Sequence, residues 1–134
     1  MTTTYNSNFL NKQLLYWFPV YFYMIFIFYL SSQSVVPIMG GDIVGLNLSD
    51  YVKHSFEYFI LSLLVYRAVS NHKVKINSEI LTVILSGVYA ISDEVHQLFV
   101  PGRQFSLLDI LADLIGIIIA IISYRIIKKL IQKF

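Results

Sequence analysis

The chain has no cysteine, which excludes disulfides and thiolate metal sites. Charge is scarce. Asp, Glu, Lys and Arg make up 13% of the 134 residues, where a water-soluble domain carries about a quarter. The chain is instead 57% hydrophobic and 16% aromatic, more apolar surface than one small soluble core can hide. No phosphate-cradling loop and no nucleophilic triad motif are present. There is no internal repeat and no linker long enough to separate domains. The bases are few, and attraction to anionic lipid accounts for them, which argues against nucleic-acid binding. The apolar run after Lys12 is long and lacks a small-residue cleavage site, so it reads as a retained span and not as a signal peptide. These absences leave an all-α integral membrane protein with a single domain over residues 1–134.

A spanning helix needs about 20 mostly apolar residues. Four stretches approach this: about 14–33, 51–70, 79–99 and 105–127. Together they predict a four-helix bundle. Pro19 is expected to kink the first, as neighbouring helices can tolerate. Lys12, Arg67, Lys73, Lys75, Arg125, Lys128, Lys129 and Lys133 fall on one side of this arrangement, and only Lys53 and Arg103 on the other. The bias places both termini in the cytoplasm, with the first connection and the Pro-Gly-Arg turn outside.

The uncharged parts of three spans, 58–66, 80–92 and 114–124, are each too short to cross hydrocarbon. They reach length only if acids are included in their outer halves. At about 1.5 Å per residue, Asp93 and Glu94 would lie roughly 8 Å inside the outer end, and Asp113 roughly 12 Å. Ionisable side chains at such depth face bundle interiors or water-filled cavities. The expectation is a polar cavity open to the outer side.

Helical spacing gives that cavity shared faces. Asp93 and Glu94 fall four and three residues before Gln97. Ser106, Asp109, Asp113, Gly116 and Ala120 form a stripe that is polar at one end and small at the other, suited to close packing. His54, Glu57, Tyr58 and Leu61 form the matching stripe, and Ser31, Ser32 and Gln33 end the first span at the same level. The binding candidates are therefore His54, Glu57, Tyr58, Asp93, Glu94, Gln97, Arg103, Asp109 and Asp113.

Several of these have plainer readings. Asp109 stands three residues after Ser106, a capping-box spacing. Arg103 follows a tight turn and is expected to pair with Asp93, Glu94 or Asp109, with ligand contact compatible with that pairing. His96 is off the stripe and reads as an interfacial surface histidine. Lys53 can snorkel. Ser31 and Ser32 can bond to their own helix, and the aromatics of the first span read as lipid contacts. Glu57, Glu94 and Asp113 have no local cap to explain them.

Glu57, Asp93, Glu94, Asp109 and Asp113 oppose only Lys53 and Arg103. Such an imbalance requires shared protons, a cationic ligand group or a metal. His54 and Glu57 with acids opposite are compatible with a divalent metal, yet match no established ligand motif. No residue is assigned as a metal ligand, and no cofactor is assigned.

Three segments carry a family resemblance: HSFEYFIL at 54–61, SDEVHQLFVPGR at 92–103 and SLLDILADLIG at 106–116, preceded by SSQ after the first span. They resemble the VanZ-like family of small bacterial membrane proteins over about residues 31–116. Two positions depart from that family, where Asp113 is often asparagine and a lysine often stands at the place of Tyr51. The resemblance implies a teicoplanin-resistance-like protein of the cell envelope, with resistance either its role or a side effect of a general envelope function.

Three functions are open at this point. The first is non-catalytic binding of a membrane lipid, a cell-wall precursor or a glycopeptide at the outer leaflet. In that reading the apolar first connection, with Gly40 and Gly41 as a hinge, is either a lid or an ordinary interfacial loop. The second is an intramembrane enzyme acting on a lipid headgroup, with Glu94 or Glu57 as base, Arg103 as anion clamp and His54 as proton relay. The third is a proton- or cation-coupled transporter, which would require a dimer because four spans are few and the inner half lacks polar stepping stones.

Overall fold

The computed structural model describes residues 7–34, 48–72 and 75–132. The first connection over 35–47, with Gly40 and Gly41, lies outside the described residues, as do Lys73 and Lys133. Four helices and no strand are found among those described: α1 (Ser7–Ser31), α2 (Leu48–Ser70), α3 (Ser78–Gln97) and α4 (Leu107–Ile131). At about 1.5 Å per residue the shortest, of 20 residues, matches a hydrocarbon core of about 30 Å.

The ends of α3 and α4 are locally encoded. Asn77 caps α3 by accepting the Glu79 N–H at 2.8 Å, and Ser106 caps α4 by accepting the Asp109 N–H at 3.2 Å. Each satisfies a backbone donor left free at a helix start. Between them, Arg103 N–H donates to the Val100 carbonyl at 3.1 Å. Gly102 takes φ 81° in this turn, a type II geometry that favours glycine. Helix α1 runs unbroken through Pro19.

The helices alternate in direction. One end of the bundle carries the α3–α4 turn and is called the hairpin end. There Ser32 of α1 meets His96 of α3, and His54 of α2 meets Asp113 of α4. At the opposite end Trp17 lies against His72, Arg67 over Tyr16, and Arg125 pairs with Glu79. Helix α2 packs most extensively on α4, while among the described residues α1 touches α2 and α3 but not α4.

The core is apolar along most of its length, with Val20, Ile27, Leu61, Val65, Ala68, Val69, Ala90, Ile117 and Ile121 buried together. Small residues bring the backbones close. A Cβ on Gly116 would collide with the Ser55 carbonyl oxygen and stand 3.0 Å from the Phe59 nitrogen. The exterior is apolar too, with Phe18, Phe22, Ile25, Leu107, Ile115 and Ile118 exposed. Such continuous apolar surface needs a cover.

Two helices, at Leu14–Ser31 and Leu107–Ile131, are long and apolar enough to cross a membrane, which fits a membrane protein. The sequence reading expected four spans, and α2 and α3 do not meet the same measure. Asp50, Lys53, Glu57 and Arg67 spread charge along α2, and α3 carries Glu79 in its first turn and ends in a polar stretch with Asp93, Glu94, His96 and Gln97.

Candidate functional site

Polar side chains gather at the hairpin end. His54, Asp93, Glu94, Gln97 and Asp113 are buried there, with Glu94 at 0% exposure and Asp113 at 1%. Burying charged groups without partners is costly, so where each carboxylate finds its partners is informative.

The structure does not bring all the expected residues around one cavity. A recess of about 80 Å³ is lined by Ser31, Lys53, His54, Glu57, Asp93 and Arg103, among others. Glu94, Asp109 and Asp113 do not line it. They form a second group with His54. The cause is helical geometry: successive residues on a helix point about 100° apart, so Asp93 faces the recess while its neighbour Glu94 turns toward α4.

In the second group His54 Nδ1 lies 3.2 Å from Asp113 Oδ1, and His54 Nε2 lies 4.0 Å from Asp109 Oδ2. Glu94 Oε2 accepts the Ser106 N–H at 2.9 Å. This bond alters the reading of Asp109 as a cap. In a capping box the acid at that position reaches back to the N-cap N–H. Here Glu94 has taken that donor, so the Asp109 carboxylate is left to face His54. One potential ligand atom from each of His54, Glu94 and Asp109 lies within 4.8 Å of the others. The sequence reading had paired His54 with Glu57 for such a role, and Glu57 is outside this group.

The recess carries charges of both signs. Lys53 Nζ pairs with Asp50 at 2.9 Å near the open side. Arg103 was expected to pair with an acid. Among the described residues it makes no ion pair, and its Nε donates to the Gln33 carbonyl at 3.3 Å, tying the turn to the end of α1. Gln97 donates weakly to Asp93 Oδ2 at 3.4 Å. Among the described residues, Asp93 Oδ1, Glu94 Oε1 and the Tyr58 hydroxyl are buried without a hydrogen-bond partner. Tyr58 is fully buried beside Tyr89 and does not line the recess.

Other polar residues also depart from the sequence reading. His96 is half-buried, not a surface side chain. Its ring stacks on Phe28 at 4.3 Å and its Nε2 lies 3.0 Å from Ser32 Oγ. Ser31 and Ser32 both bond to the Phe28 carbonyl, as expected for hydroxyls near a helix end. Asp50 lines the recess and was overlooked; its i, i+3 spacing to Lys53 in the first turn of α2 was the available signal. Ser62, Thr82 and Ser86 are buried, so the other half of the bundle is not free of polar groups.

The fold and site define a small helical protein that is apolar outside and charged inside at one end. The VanZ/LLP1 family model matches residues 6–128, nearly the whole chain, and the chain belongs to that family. No curated protein and no solved structure matches it.

Proposed function

We propose that this chain is a multi-pass membrane protein of the cell envelope. Its four helices cross the bilayer with both termini cytoplasmic, and its hairpin-end recess binds a phosphate-bearing lipid headgroup at the outer leaflet. The observation that carries this reading is the recess itself. Lys53 and Arg103 line it together with Asp50, Glu57 and Asp93, while the helix faces around it are apolar. A zwitterionic or phosphate-amine group matches both signs. At roughly 10–15 Å³ per water the recess holds several waters, or the polar end of one headgroup, with acyl chains left on the outer helix faces. Phospholipids and lipid-linked cell-wall precursors present phosphate, whereas a lipid-anchored glycopeptide would have to bind through its amine and carboxylate groups.

Native mass spectrometry of the chain released from lipid bilayers tests this. Wild type is expected to retain phosphate-bearing lipid. Arg103→Ala should retain about tenfold less or lower, the scale of one lost charge-assisted hydrogen bond. Equal lipid retention by the two proteins would remove the basis for headgroup binding. Teicoplanin susceptibility of cells carrying each protein then tells whether binding bears on resistance.

A second reading, an enzyme acting on a lipid headgroup, is favoured by a different observation. His54 is held by Asp113 beside Glu94, whose Oε1 has no partner among the described residues, an arrangement suited to proton transfer. Lipid extracts of cells carrying wild type or Glu94→Gln separate the readings. A headgroup change made by wild type alone indicates chemistry, and identical extracts leave binding. Transport draws less support, because the buried hydroxyls of Ser62, Thr82 and Ser86 are not ionisable.

A further inference from the structure

We propose that His54, Glu94 and Asp109 form a binding site for a first-row divalent cation of the zinc, manganese or iron(II) class. The site is separate from the headgroup recess and shares only His54 with it.

Four observations converge. The first is geometry. A potential ligand atom from each residue lies within 4.8 Å of the others, with His54 Nε2 to Asp109 Oδ2 at 4.0 Å. Imidazole nitrogen and carboxylate oxygen bind such ions at about 2.0–2.2 Å. Movements of roughly 1 Å or less by each side chain would therefore bring all three onto one ion.

The second is an unmet demand. Glu94 has 0% exposure, and its Oε2 is occupied by the Ser106 N–H while its Oε1 has no hydrogen-bond partner among the described residues. A buried carboxylate oxygen without a donor is costly, and a cation supplies the missing partner.

The third is charge. Glu94, Asp109 and Asp113 surround one histidine. Among the described residues no lysine or arginine pairs with them; Lys53 goes to Asp50 and Arg125 to Glu79.

The fourth is the outer support. Asp113 Oδ1 lies 3.2 Å from His54 Nδ1, which leaves Nε2 free to ligate. This is the carboxylate–histidine–metal arrangement that orients the imidazole and raises its basicity. Ser106 holds the other two ligands, giving its N–H to Glu94 and taking the Asp109 N–H on its hydroxyl.

One imidazole and two carboxylates suit zinc, manganese or iron(II), whereas magnesium and calcium take all-oxygen sets. Three protein ligands leave positions open. The side chains of His54 and Asp109 are 11% and 17% exposed, which gives water or an anionic ligand a route to them.

The test uses the full chain in detergent without added lipid, so its result is independent of headgroup binding. The protein is stripped with a chelator and titrated with Zn²⁺, and with Co²⁺ as a spectroscopic probe. Wild type is expected to take up about one equivalent, with visible cobalt bands that excess Mg²⁺ does not displace. His54→Ala, Glu94→Gln and Asp109→Asn should each weaken uptake by more than about 100-fold, and Asp113→Ala by about 10–100-fold as an outer-shell partner. Glu79→Gln, at the far end of α3, should bind as wild type does. Circular dichroism reports whether each variant is folded. Folded wild type that takes up no Zn²⁺ or Co²⁺ would overturn the proposal without any variant. So would folded Glu94→Gln or Asp109→Asn that binds as tightly as wild type.

Discussion

His54 of α2 and Asp113 of α4 meet at 3.2 Å, and they do so because the next turn of α4 presents no side chain. Gly116 follows Asp113 by three residues, and Ser55 follows His54 by one. The α2 and α4 backbones touch at Gly116 and Ser55, leaving no room for a Cβ. That close approach brings the imidazole within reach of the carboxylate. A seam of small residues, which in lipid allows dense packing where the hydrophobic drive is absent, also sets the geometry of the polar group.

Gly116→Ala is accordingly expected to destabilise the protein by about 1–3 kcal/mol, the range for overpacking. Gly87 is the matched control. A Cβ there meets nothing within 4 Å, so Gly87→Ala should stabilise α3 by roughly 0.5–1 kcal/mol through backbone entropy alone. Thermal unfolding in detergent, followed by circular dichroism, reads both. Shifts of the same sign would contradict the packing account.

Ser106 joins helix capping to the site. Ser106→Ala removes the acceptor for the Asp109 N–H and should cost about 1 kcal/mol, while Ser106→Gly should cost only a few tenths. Both keep the backbone N–H that Glu94 accepts, so neither should release Glu94. Unfolding midpoints of the two variants give the comparison, and a larger loss for glycine would count against the cap.

Tyr58 buries a hydroxyl with no partner among the described residues. Tyr58→Phe removes a desolvated donor and keeps the ring against Tyr89. Stability should hold or rise by about 1 kcal/mol, the low end of the penalty for an unmade hydrogen bond. A clear loss of stability would reveal a partner for that hydroxyl.

Topology can be read directly because the chain has no cysteine. Gln104→Cys, in the exposed turn, should react with an impermeant maleimide in intact cells. Lys129→Cys, near the end of α4, should react only after permeabilisation. Labelling of both residues in intact cells would refute the proposed orientation.

Much of the bundle was legible in the residues. Helices α2, α3 and α4 fall within a few residues of the apolar runs, while α1 starts earlier, at Ser7. The stripe Ser106, Asp109, Asp113, Gly116 and Ala120 does face α2 and the core at Asp113, Gly116 and Ala120. What misled was treating all acids at one depth as sharing one cavity. Asp93 and Glu94 are adjacent in the chain, yet their side chains serve different groups. Arg103, expected on a carboxylate, bonds to the Gln33 carbonyl because the turn docks on the end of α1. His96 was set aside for missing the stripe, but it packs on α1, a neighbour that the periodicity of α3 alone does not identify.

The sequence by itself determined the class of protein and the helices, because the lengths of apolar runs, caps such as Ser106 and the glycine of a tight turn act within a few residues of one another. Only the tertiary structure decided that Glu94 takes the Ser106 N–H, that Asp109 is thereby freed to face His54, and that Glu57 stays apart. Those relationships depend on the rotation of each helix about its own axis and on how closely α2 and α4 approach. His54 and Asp113 are 59 residues apart in the chain, and no spacing along a single helix encodes where they meet.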